Sequence, residues 1–130
     1  MANRPSGDPA ARVAHVEAAL SACIDDHRFL PHLVLHETES WVLAARSELA
    51  ALYQDPALEA TLDAVVGQAG SVERVNDGPA TAPSKRILAA RPDFQKTVDG
   101  PLALLDLGID GLRAGCPHLD EWMMELERRA

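Results

Sequence analysis

Phe29-Leu30-Pro31-His32-Leu33-Val34-Leu35-His36 is the stretch on which the fold reading turns. It is a short, nearly continuous apolar run with a proline near its start, the pattern of a buried strand. A lone strand leaves its amides and carbonyls unpaired, so it needs a partner strand from elsewhere. The rest of the chain carries helical spacing. The sequence therefore predicts a mainly α fold, α+β only through one or a few short strands, built as a small helical domain with an orphan strand at 29–36.

Upstream, residues 1–7 read as a flexible lead, and 8–130 as a single helical domain. Asp8-Pro9 is a cap followed by a first-turn proline. Val13, Val16, Leu20 and Ile24 recur at helical spacing and predict a helix to about Asp25, after which Asp25-Asp26-His27-Arg28 forms a charged turn. Downstream, a helix from Thr38 carries Trp41, Ala45, Leu49 and Leu52 on one stripe. Asp55-Pro56 caps the next, with Leu58, Leu62 and Val65 before Gly67, and residues 71–75 form one turn. Pro92 ends a further helix just after Arg91. Asp99-Gly100-Pro101 opens a short helix ending near Gly108, and 110–116 form another. Cys116-Pro117 starts the last, with Leu119, Trp122, Met123 and Leu126 inward.

The 130 residues suit one domain, and 47% apolar residues suffice for a core. A net charge of −8 with histidines neutral disfavours nucleic acid or an anionic membrane as a partner of the whole surface. A nucleic-acid contact would have to use the local basic group Lys85, Arg86, Arg91 and Lys96. Cys23 and Cys116 lack CxxC spacing, which predicts reduced thiols and a cytoplasmic protein. No stretch approaches the roughly 20 apolar residues of a membrane span, and the N-terminus lacks the apolar run of a signal peptide. Dinucleotide, Walker and nucleophile-elbow motifs are missing.

Asn76-Asp77-Gly78-Pro79-Ala80-Thr81-Ala82-Pro83-Ser84-Lys85-Arg86 is the first candidate for chemistry. Asp77-Gly78 is a turn pair, Thr81 is placed to cap a helix, and Pro83 is tolerated in a first turn whose amides lack helical partners. Asn76, Asp77 and Gly78 would support a loop delivering free amides, the Thr81 and Ser84 hydroxyls and the cations Lys85 and Arg86 to a phosphate or carboxylate. A well-capped connector with solvated cations accounts for the same residues. His36, Glu37 and Glu39 follow the apolar run. A histidine beside two carboxylates suits proton transfer or magnesium ligation, while two acids in a first turn equally suit the helix dipole. His32 and His36 would lie about 13 Å apart on a strand, too far to share an ion. His118, two residues after Cys116, reads as a first-turn histidine beside a buried thiol.

Four blocks, 29–37, 76–87, 98–101 and 116–122, resemble in order and spacing the C-terminal half of bacterial proteins in domain-of-unknown-function family 4276. Relatives of that family resemble the Toprim fold, in which an N-terminal glutamate and an Asp-x-Asp pair hold magnesium for phosphoryl chemistry. Some occur beside ATPases in phage-defence settings. The resemblance implies His36 and Glu37 as catalytic candidates and Thr81, Ser84, Lys85 and Arg86 as phosphate-binding residues. The acidic Toprim motifs are missing from these 130 residues, and Thr38 to Trp41 departs from the aromatic-rich continuation usual in the family. The expectation is a module that is not catalytic alone and binds a phosphate of nucleotide or nucleic acid. Magnesium would come only with a separately encoded N-terminal Toprim-like half. The competing expectation is a non-catalytic protein-interaction or homodimerisation domain that pairs through the 29–36 strand.

Overall fold

The computed structural model describes residues 7–35, 37–75 and 80–130. Among them are seven α-helices, one 3₁₀ turn and no strand. The helices are α1 (Pro9–Ile24), α2 (Glu39–Ala44), α3 (Arg46–Tyr53), α4 (Pro56–Ala69), α5 (Pro83–Ala90), α6 (Asp99–Gly115) and α7 (Pro117–Arg129). The 3₁₀ turn covers Val72–Arg74, between α4 and α5. Among the described residues, no helix is long and apolar enough to cross a membrane.

The predicted orphan strand is overturned. Residues 29–35 join no ladder; side chains of the same chain meet part of their backbone. The Leu33 amide donates to Glu17 Oε1 at 2.7 Å, and the Leu30 carbonyl accepts the Trp122 indole N–H at 3.0 Å. Ser40 Oγ donates to the Leu35 carbonyl at 2.9 Å and closes the turn into α2. An apolar run with a proline needs only burial and hydrogen-bond partners, and α1 and α7 supply both. With no strand at 29–35, this segment neither calls for a missing sheet nor offers an edge for pairing with another chain.

Most helix boundaries follow local chemistry. Asp55 Oδ1 accepts the Leu58 amide at 3.1 Å, capping α4 with Pro56 at its first position. Gly70 ends α4 at φ +90°, a left-handed conformation that glycine adopts without a Cβ penalty. α5 stops at Ala90, before Pro92. Gly108, at φ 76° and ψ 168°, breaks the helical path inside α6, matching the predicted pair of short helices. The single helix predicted from Thr38 is instead two, divided at Ala45, and Leu52 on its stripe is exposed. Leu126 on α7 likewise faces solvent.

Leu43, Leu49, Leu62, Val75, Ile87 and Cys116 are fully buried and join α2 through α7 in one core. α2 packs closely on α6: a Cβ on Gly100 would meet Val42 Cγ2 at 3.2 Å. The α3 and α6 ends are tied where the Tyr53 hydroxyl donates to Asp99, whose carboxylate also accepts the Gln95 amide at 2.8 Å. α1 contributes no buried residue.

Burial, reinforced by the nearby Glu73 charge, pushes the Cys116 thiol up to about 12. Burial and the Asp99 carboxylate push the Tyr53 phenol up to about 12 as well. The folded chain keeps protons that the unfolded chain releases above about pH 8.5 for the thiol and about pH 10 for the phenol. The stability that these two groups contribute is therefore fully present below about pH 8.5 and is lost as pH rises toward the folded values. Urea midpoints measured from about pH 8 to 10 are expected to decline, and Cys116→Ala is expected to flatten that decline until the phenol begins to titrate.

Candidate functional site at the junction of α2 and α5

The turn at Leu35 aims Glu37 at the start of α5. Ala82 occupies the N-cap position there and has no side-chain oxygen to offer. The Ser84 amide donates instead to Glu37 Oε1 at 2.6 Å, across 47 residues of sequence. A carboxylate at that point satisfies a first-turn N–H and complements the helix dipole. Thr81 therefore does not cap α5, contrary to the sequence expectation, because Ala82 takes that place.

The other predicted residues divide. Ser84 is buried, Thr81 half-buried and Lys85 exposed. Arg86 is half-buried, with its Nε buried and lacking any hydrogen-bond partner. Glu39 is buried; its Oε1 lies 3.3 Å from Lys96 Nζ and its Oε2 accepts the Thr38 hydroxyl at 3.2 Å. Arg91 lies over the Tyr53 ring at 4.2 Å and pairs with Asp55 at 3.2 Å. The basic group read from sequence is thus partly neutralised, since Arg91 and Lys96 already have acidic partners. His36, Asn76, Asp77 and Gly78 lie outside the described residues.

Glu37 and Glu39 do not fit a magnesium cage. One is committed to a backbone amide and the other to an ammonium group and a hydroxyl, whereas magnesium takes carboxylate oxygens in near-ideal octahedral geometry. No step through that ion follows from these residues.

Sequence reasoning missed a second cluster. His118, in the first turn of α7, places Nε2 2.9 Å from Glu17 Oε1 on α1. His32 Nδ1 lies 4.0 Å from the same oxygen. The His32 ring stacks with His118 and with Trp122, its centroid 4.9 Å from each of theirs. Burial, and then the neighbouring His118, hold the His32 imidazole below its ordinary value, against the opposing pull of Glu17. Glu17, His32 and His118 are the one group of three metal-competent side chains among the described residues. No spacing rule could find it, because the three come from α1, an irregular segment and α7.

The model of the family described as "Domain of unknown function (DUF4276)" matches residues 2–127. This chain belongs to the DUF4276 family. No curated protein and no solved structure matches it. Membership of DUF4276 agrees with the family named from the four sequence blocks, though not with a match to its C-terminal half in particular, and carries no activity with it.

Glu37→Ala is expected to cost about 1–3 kcal/mol in urea unfolding, since it strands the Ser84 amide, while Glu37→Gln keeps an acceptor and costs less.

Proposed function

We propose that the start of α5 holds a phosphate group of a nucleotide or nucleic acid, with Lys85 and Arg86 as its cations. The observation that supports this is Arg86 Nε, buried without an acceptor one residue from an exposed lysine. A guanidinium N–H left unpaired favours an anionic oxygen, and phosphate matches its fork. Glu37 already uses the Ser84 amide, so the anion is held mainly by side chains, with the half-buried Thr81 hydroxyl as a further candidate. Glu37 acts as a positioning residue that fixes the loop. In this reading these residues bind and do not catalyse alone; a Toprim-like half would bring metal-binding acids, a relationship supported by the four sequence blocks only. The phage-defence setting rests on the same resemblance.

Calorimetric titration with pyrophosphate and with ATP tests the site. Lys85→Ala/Arg86→Ala is expected to weaken binding about tenfold or more, the equivalent of losing one charge-assisted hydrogen bond of about 1.5 kcal/mol. Unchanged affinity, or no binding by the parent chain, removes the reading.

A second reading, homodimerisation, is favoured by α1. Val16, Leu20 and Ile24 form a stripe on it and are 44%, 38% and 50% exposed. A two-fold axis would lay the three residues of one copy against the same three of another, a self-complementary contact that needs no other chain. Light scattering is expected to show a dimer that Leu20→Asp converts to monomer. A monomeric parent, or a dimer indifferent to Leu20→Asp, sinks it.

A further inference from the structure

We infer that Glu17, His32 and His118 form a binding site for a borderline divalent metal ion, with Zn²⁺ the best match. The site is separate from the α5 anion site and does not rest on it. Two imidazoles and one carboxylate suit Zn²⁺ and its first-row neighbours; magnesium and calcium prefer all-oxygen sets. The three ligand atoms lie within 4.8 Å of one another, close to the spread that a single ion closes.

The built character of the site comes from His32. Its side chain is only 10% exposed, and neither ring nitrogen has a hydrogen-bond partner. Leaving a buried polar atom unpaired is costly, so an ion accepting a His32 lone pair would remove a standing penalty. Glu17 and His118 are also largely buried, at 17% and 20% exposure, and already touch. Their surroundings favour a cation: a cavity of about 180 Å³ opens beside the three residues, and Glu121 and Glu125 line it too. It leaves room for a fourth, water ligand, the arrangement of an open zinc site.

Coordination requires a movement that can be read. A ring-nitrogen lone pair lies in the plane of its ring, and the His32 and His118 planes are only 26° apart in their stack. Two near-parallel planes cannot both contain one nearby ion, so binding turns at least one of the rings and disturbs the stack that His32 makes with His118 and Trp122. The environment of the Trp122 indole changes as a result.

The test uses the full chain, free of tag and stripped with chelator, in a Trp41→Phe/Cys23→Ser background. That background leaves Trp122 as the sole tryptophan and removes the exposed thiol. Titration with Zn²⁺ is expected to give one equivalent bound by calorimetry, a saturable change in Trp122 emission, and a higher thermal midpoint. Equimolar Mg²⁺ is expected to do none of these. His32→Phe, which keeps the stack, and Glu17→Gln are each expected to weaken Zn²⁺ at least about tenfold. No Zn²⁺ bound, a Trp122 signal that does not move, or an affinity unchanged in His32→Phe overturns the inference. If either variant fails to fold by circular dichroism, the stoichiometry and the Trp122 signal of the background protein decide the matter.

Discussion

The structure depends on carboxylates that arrive from distant positions to satisfy backbone amides left over by the helices and loops. Neither α5 nor α7 carries a capping side chain of its own, since Ala82 and Cys116 stand at their N-cap positions. Glu37 accepts the Ser84 amide and Glu73 accepts the His118 amide at 3.0 Å, across 47 and 45 residues. Glu17 does the same for Leu33, a residue in no helix at all. An amide buried without an acceptor is costly, and a charged acceptor is among the stronger remedies. These three contacts hold irregular segments in place where packing alone would leave their backbone unsatisfied.

This accounts for the placement of α1. The helix buries no residue in the core, so hydrophobic packing gives it little hold. What fixes it is Glu17, whose one oxygen takes the Leu33 amide and lies 2.9 Å from His118 Nε2. The same oxygen brings α1, the 29–35 segment and α7 to one point. The histidine cluster is a consequence of that convergence: tying three elements with one carboxylate also gathers two imidazoles around it.

The two candidate sites use opposite electrostatics. At α5, a carboxylate occupies the helix N-terminus and the residues left to attract an anion are Lys85 and Arg86. At α1 and α7, the acids outnumber the cations near the histidines, and Glu125 is held down to about 2 by Arg128 and Arg129. A chain with a net charge of −8 can hold a local anion site only where cations remain uncommitted. Of the four basic residues grouped in the sequence, Arg91 and Lys96 are already paired, and this confines such a site to Lys85 and Arg86.

The sequence by itself determined most helices and many of their ends. Periodicity located α1, α4 and α7. Asp55-Pro56, Pro83, Pro92, Gly108 and Pro117 marked boundaries by chemistry acting within a few residues. The family was also legible, from four short blocks. Only the tertiary structure decided what residues 29–35 do, because an apolar run with a proline suits a strand and a covered irregular segment equally well. The choice lay with Glu17 and Trp122, 16 and 92 residues from their backbone partners. The cap of α5 and the meeting of His32 with His118 were hidden for the same reason. Local pattern reports what a residue does to its neighbours in sequence, while a side chain's reach across the fold depends on where the helices come to rest.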